Sequence, residues 1–311
     1  MAAGSETKYS LQNEKNKKEQ KKSKFRKKMI PYILVFPAVL FVIGVLGYAI
    51  IAGLLMSLFD IRLSFGDAPF VGLENYIYLF TDEIFLNSLF ISLIFVFGSV
   101  VLGLALSLSF ALSLYKCKRT GNFYKALALV PYLISGIATA IMFRFLFSGD
   151  VGLINLILKT VGLDAVNFLA DPWWALLVCV LANVWFVCPF ATLVLLSGIQ
   201  SVDPELFDSA KIDGAHRIHI LRKIILPLIA PMMGISLIWL SFASFNMFDV
   251  ILPLTNGGPG RSTEVMALYM YNVAFGELQY SLGSAVMVII LFFNVVTSVI
   301  YLKIFNVNYA D

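Results

Sequence analysis

The 311 residues are 59% apolar and only 14% charged, with a formal net charge of +4, where ordinary soluble domains hold about 45 to 50% apolar residues. That balance excludes a soluble globular domain, and the positive charge excludes a nucleic-acid binder, because the bases are not interleaved with exposed aromatics over a folded surface. Cys117, Cys179 and Cys188 lack metal or disulfide-framework spacing and are expected to be reduced thiols.

A bilayer core of about 30 Å requires about 20 apolar residues of helix per crossing, and six such runs occur. The fold class expected is therefore an all-α integral membrane protein with six transmembrane helices. Residues 1–29 form a Lys-rich tail with nothing to bury, expected in the cytosol. The first span, about 30–58, is too long for the apolar core of a signal peptide and has no small-residue cleavage site at its end, so it is expected to stay. An acidic loop follows, then span two at about 84–115, the basic turn Lys116, Lys118, Arg119 and Lys125, and span three at about 126–147. Span four runs over about 173–197, span five 228–252 and span six 281–305, so residues 30–311 make one transmembrane domain.

Residues 200–227 differ from their surroundings because they are water-compatible yet enclosed by spans. Asp203 suits an N-cap, Pro204 the first helical position, and Glu205 the positive end of the helix dipole. Leu206, Phe207 and Ala210 follow at helical spacing. Asp213-Gly214 supplies a turn, and Ile218, Leu221, Ile224 and Ile225 form a second apolar stripe ending before Pro227. The pattern predicts helix, sharp turn, helix.

Charge sets the orientation. Of 23 Lys and Arg, three (Arg62, Lys159, Arg261) fall in loops on one side, Arg144 falls inside a span, and the remaining 19 fall on the tail side. By the positive-inside rule both termini and the 200–227 hairpin lie in the cytosol, as expected of a multi-pass protein of the cytoplasmic membrane.

Asp208-Ser209-Ala210-Lys211-Ile212-Asp213-Gly214-Ala215, followed by Ile224-Ile225-Leu226-Pro227, resembles the cytoplasmic Glu-Ala-Ala/Asp-Gly-Ala motif of binding-protein-dependent ABC importer permeases. Asp208 stands where that motif has Glu and Ser209 where it has Ala. Phe70-Val71-Gly72-Leu73-Glu74-Asn75-Tyr76 and Leu254-Thr255-Asn256-Gly257-Gly258-Pro259, with Thr263, Tyr271, Ala274 and Phe275, are similar to the maltose and multiple-sugar branch. The resemblance covers all but the Lys-rich tail. It implies the type I importer permease core and a cytosolic coupling segment. It also implies four further parts: a second homologous permease, a pair of cytosolic ATPase subunits that hold the ATP and Mg, and an extracytoplasmic solute-binding protein.

On that resemblance the chain carries no catalytic residue, cofactor or metal of its own. Asp208, Ser209, Ala210, Asp213, Gly214, Ala215 and Leu221 would meet the ATPase; the alternative is that the hairpin only covers the inner mouth of its own bundle. A sugar needs hydrogen-bonding groups beside apolar faces. Asn183, Phe186 and Phe190 on span four, with Ser241, Ser244, Asn246 and Met247 on span five, correspond to the family's pocket. The alternative is that the aromatics and Met247 are packing residues and the serines permit close helix contact. Asp249 leaves three readings open: a gate, a substrate ligand or a solvated charge.

Several features are decoys. Leu196-Ser197-Gly198-Ile199-Gln200 looks like an ATPase signature but stands at a span end with no phosphate loop anywhere in the chain. His216 and His219 lack further metal ligands, and Arg144 near a span end is expected to snorkel to the interface. The function expected is import of a sugar or oligosaccharide. Glycerol phosphate or polyol import is the alternative within the family, and a secondary transporter or a structural scaffold are the alternatives outside it. A secondary transporter calls for ionisable relays at mid-depth, which the spans lack.

Overall fold

A computed structural model describes residues 29–32, 34–61, 69–117 and 121–305. The expectations for the Lys-rich tail lie outside them. Two compact units are present, residues 1–55 and 56–311. In the first, α1 (Met29–Met56) is long and apolar enough to cross a membrane, and its most apolar window has no buried residue. Such a surface is stable in lipid rather than in water.

The second unit is built on four helices. α2 (Glu74–Thr81) leads into α3 (Glu83–Lys116), whose N-terminus is capped by Asp82: its carboxylate accepts from the amides of Ile84 and Phe85. α3 packs along α7 (Pro172–Ser201) and α10 (Ala230–Phe245), and α10 packs on α13 (Tyr280–Ile304). Asp171 caps α7 in the same way, with Pro172 at the first helical position. The buried face of α3 sets small residues, Ser88, Ser92, Ser99, Gly103, Ser107 and Ala111, among the larger Phe85, Ile91, Phe95, Val96 and Val100. Small side chains let membrane helices approach closely, where dispersion replaces the hydrophobic driving force that lipid does not supply.

Span three, expected as one helix over about 126–147, is a bent pair, and a second bend stands where the expected hairpin meets span five. Span three is α4 (Gly121–Leu133) and α5 (Gly136–Leu146), meeting at 92° between Phe123–Leu133 and Gly136–Leu146. Ser135 causes the restart: its backbone is extended, and its hydroxyl accepts from the amide of Ala138 at 3.2 Å. The hairpin's second helix, α9 (Arg217–Leu228), meets α10 at 76° at the expected start of span five. Among the described residues four helices are long enough to cross alone, and up to six spans result when each bent pair counts as one.

Outside the bundle, α6 (Leu153–Thr160) lies in the loop after span three. α11 (Ile251–Thr255) and α12 (Met266–Tyr271) frame a tightly bonded outer loop. Thr255 and Thr263 hydroxyls lie 2.7 Å apart, and Thr263 also donates to the Gly258 carbonyl at 2.9 Å. The buried Glu264 carboxylate takes the Arg261 guanidinium at 2.8 Å and the Asn272 amide at 2.9 Å. Tyr269 donates to the Asp82 carboxylate at 2.8 Å. Burial, and after it that bond to a carboxylate, pushes the Tyr269 phenol well above its ordinary range.

Candidate functional site

The hairpin forms as its sequence predicts. α8 (Pro204–Ile212) starts at Asp203, whose carboxylate accepts from the amide of Glu205 at 2.9 Å. It ends in a turn where the amide of Ala215 reaches the Ala210 carbonyl at 2.9 Å and Gly214 sits at φ +75°. Glycine adopts that region without the strain most side chains incur, so the backbone favours the residue type; a Cβ there would meet no atom within 4 Å.

Two faces of the hairpin behave differently. Phe207 and Ala210 turn inward and are buried, Phe207 packing its ring 5.9 Å from Tyr115 of α3 within a small inner cluster that also holds Leu195, Ile199, Ile225 and Ile229. Leu221 is half-buried against the same cluster. Asp208, Ser209, Asp213, Gly214, His216 and His219 are exposed, and Ala215 is half-exposed. So are the apolar Leu206, Ile212 and Ile218, at 46%, 87% and 66%. Asp208 pairs with Lys211 at 2.7 Å within the exposed face. The inner face covers the hairpin's own bundle, while the outer face presents apolar side chains and no protein contact that would explain them.

In the membrane region the residues singled out on spans four and five separate into three environments. Asn183 is fully buried, and its amide nitrogen donates to Ser99 of α3 at 2.9 Å and to Ser244 of α10 at 2.8 Å, so one side chain ties three helices together. Its amide oxygen has no partner among the described residues. Ser241, also buried, donates to the Tyr301 hydroxyl of α13 at 3.1 Å. Phe190 is half-buried in an aromatic group, 4.4 Å from Trp239 and 6.1 Å from Tyr132 between ring centres. Phe186 is half-buried and packed on the core, Met247 is buried, and Asn246 is exposed with its amide turned back to the Phe242 carbonyl at 2.8 Å.

Asn183 and Ser244 are therefore joined directly, Phe190 stands in a neighbouring aromatic group, and Asn246 stands apart. Sequence reasoning missed Ser99, Tyr132, Trp239 and Tyr301. The spacing of Ser88, Ser92, Ser99 and Ser107 on one face of a helix was a usable signal for the first of these. A groove of about 640 Å³ runs between α3, α4 and α7, lined by such residues as Phe110, Leu127, Pro131, Leu181 and Trp185. Its walls are almost wholly apolar, which suits hydrocarbon and offers little to a hydroxylated solute. Arg144 is exposed and donates to the Pro253 carbonyl at 3.2 Å. Among the described residues no group of three or more His, Cys, Asp or Glu could hold a metal ion.

Comparison with known proteins bears on this arrangement. The family of binding-protein-dependent transport system inner membrane components matches residues 99–305, which contain the hairpin, the polar junction and the outer loop. The trehalose/maltose transport system permease protein MalF of Thermococcus litoralis is 32% identical over 283 residues, 91% of this chain and 96% of its own length. The sn-glycerol-3-phosphate transport system permease protein UgpA of Escherichia coli is 31% identical over 280 residues, covering 90% of this chain and 95% of its own. A bacterial ABC transporter involved in import of the acidic polysaccharide alginate has the same fold, with a TM-score of 0.77 at 23% identity over 92% of this chain and 98% of its own. With its multiple apolar spans and this match over two thirds of its length, the chain is a multi-pass membrane protein and belongs to the family of binding-protein-dependent transport system inner membrane components.

Proposed function

We propose that the chain is one of two permease halves of an ATP-driven importer that admits a sugar or oligosaccharide by alternating access. The observation that carries this reading is the hairpin: a capped helix, a turn that favours glycine, and an outer face bearing Leu206, Ile212 and Ile218 in the open. Exposed apolar side chains beside polar ones mark a partner surface, and the positive-inside asymmetry puts that surface in the cytosol with both termini. The partner is an ATPase subunit whose cleft receives residues 206–221. One ATPase serves each permease, and ATP and Mg belong to those subunits. Closure of the ATPase pair moves the hairpins as rigid levers, and the spans attached to them follow.

On the substrate side, Asn183 and Ser244 supply an amide and a hydroxyl, and Phe190, about two turns further along α7, supplies an aromatic face. The unpartnered oxygen of Asn183 supports a role in which a donor reaches it when the helices part. The trehalose/maltose relative supports a neutral sugar as cargo. Import of a glycerol phosphate, which the second relative's name supports, calls for a base facing the path. Arg144, the base inside the spans, is held at the rim by Pro253.

The test is ATP hydrolysis by the purified four-subunit complex. It is expected to rise when the cognate binding protein is added loaded with a sugar, and to stay flat with a loaded binding protein of another substrate class. Equal rates with and without any loaded binding protein would contradict the import reading. Loss of uptake in Asn183→Ala with Ser244→Ala, at unchanged binding-protein affinity for the sugar, is the outcome expected if the junction lines the path.

A further inference from the structure

The break in span three is held by a side chain from span five. Gly136 is buried at the first turn of α5, and a Cβ built on it would collide with Oδ2 of Asp249 and fall 2.6 Å from its Cγ. The carboxylate of Asp249 thus occupies the volume that any other residue at 136 would fill. It lies at the end of a helix where backbone amides have no partner in the preceding turn and where the dipole is positive. Asp249 immediately precedes Val250, the residue at the N-cap position of α11, so one side chain sets the first turn of α5 against the start of α11.

The opposite end of α5 is pinned to the same element. Arg144, in the last turn of α5, donates to the Pro253 carbonyl of α11, and the two helices pack side by side. A helix of 11 residues is about 16 Å long, so the attachments at its two ends fix α5 on α11 in angle as well as in distance. The inner half, α4, packs on α7, and Tyr132 near its end meets Phe190 and Trp239. The outer half shares α7, with Phe143 6.0 Å from Trp185 between ring centres, and adds the packing on α11, so the halves differ in that second partner and Ile134-Ser135 is the junction between them.

We infer that Asp249 is the positioning residue of a carboxylate clamp. It binds the outer half of span three to the start of α11, so that both move as one body about the Ile134-Ser135 joint. Of the three readings that the sequence left open for Asp249, this is the gate. The inference rests on the import reading above, because it assigns the clamp a part in alternating access. A purely local role would leave coupling untouched.

The experiment uses the whole importer in lipid with Gly136→Ala, Asp249→Ala, Asp249→Asn and the double variant Gly136→Ala/Asp249→Ala, plus Arg144→Ala. Two quantities are read: thermal midpoint, and the ratio of binding-protein-stimulated to basal ATP hydrolysis. Gly136→Ala is expected to lower the midpoint, and removing the carboxylate it collides with is expected to raise it again in the double variant. That recovery is a sign of direct contact that unrelated lesions do not give. Asp249→Ala and Asp249→Asn are each expected to lower the stimulated-to-basal ratio by about fivefold or more, the lower range of ordinary allosteric couplings, with basal hydrolysis retained. Arg144→Ala is expected to lower it less.

Additive losses in the double variant would overturn the contact, and a ratio unchanged by both Asp249 variants in complexes that melt like the wild type would overturn the clamp. A wild-type complex that responds to no loaded binding protein would count against the import reading instead, and the midpoint cycle would still decide whether the contact is made.

Discussion

The two bends solve one steric problem with opposite chemistry. At each bend a glycine gives up its side-chain volume to a residue from another span. Gly136 seats the Asp249 carboxylate at the 92° bend, and Gly198 of α7 seats Met232, with a built Cβ 2.8 Å from its Cγ, beside the 76° bend. Ile229 at that second bend is 1% exposed and sealed among Leu195, Leu196 and Ile199. The second bend is therefore an apolar joint next to the hairpin, where a thioether can shift within its packing. The first is a polar joint at the other end of the bundle, where the carboxylate fills the space over Gly136. The difference teaches that the bend beside the exposed hairpin is held by apolar packing that can shift, and the bend in span three by one carboxylate in a close-fitting seat.

Substitution of the two glycines is the sharpest way to break that comparison. Gly136→Ala is expected to destabilise the protein by about 3 kcal/mol, the upper range for forced overpacking, seen as a lowered thermal midpoint in detergent or lipid. Gly198→Ala is expected to cost about 1 to 2 kcal/mol on the same scale, because Met232 yields where Asp249 does not. Equal costs at the two sites would remove the distinction between them. A third glycine separates steric from conformational demand: Gly214 has open space around it but a positive φ. Gly214→Val is expected to lose about 1 to 2 kcal/mol from the hairpin, and Gly214→Asn, a residue that tolerates the left-handed region, to retain most of its function.

Smaller effects test the polar junction and the outer loop. Asn183→Ala removes two hydrogen bonds between helices and one unpartnered oxygen, so a net cost of about 1 kcal/mol is expected from melting in lipid. Tyr269→Phe is expected to cost about 1 kcal/mol by leaving Asp82 without its hydroxyl donor. The sign of its pH dependence follows from the raised phenol. Folding favours the protonated form, so its contribution is complete below the ordinary value of 10.0 and falls away as pH rises past it. Thermal midpoints of wild type and Tyr269→Phe are expected to converge above about pH 10.

How much of this was legible in the sequence depends on the range of the contacts. The hairpin was readable because its determinants are neighbours in the chain: Asp203 caps its own helix through the amide of Glu205, two positions on, and Gly214 serves a turn between adjacent helices. The capped starts of α3 and α7 at Asp82 and Asp171 carry the same local signal. The bend in span three was not read, although Pro131, Ser135 and Gly136 all stood there, because hydropathy runs unbroken across them and a bilayer-length apolar segment looks like one helix. The Asp249 carboxylate that lies against Gly136 at the bend comes from 113 positions away, and sequence spacing carries no information about that meeting. Asn183 was singled out as a pocket amide, but that it bonds Ser99 across 84 residues follows only from how α3 crosses α7.

The central claim is that the exposed face of the 204–221 hairpin is the seat of an ATPase subunit, and co-purification measures it most directly. When the tagged permease pair carrying Gly214→Val is isolated beside the wild type and Gly214→Asn, the ATPase subunits are expected to remain with wild type and Asn and to be lost from Val. Loss should come with the disappearance of binding-protein-stimulated hydrolysis. ATPase subunits retained at full stoichiometry on Gly214→Val, with stimulation intact, would contradict the account.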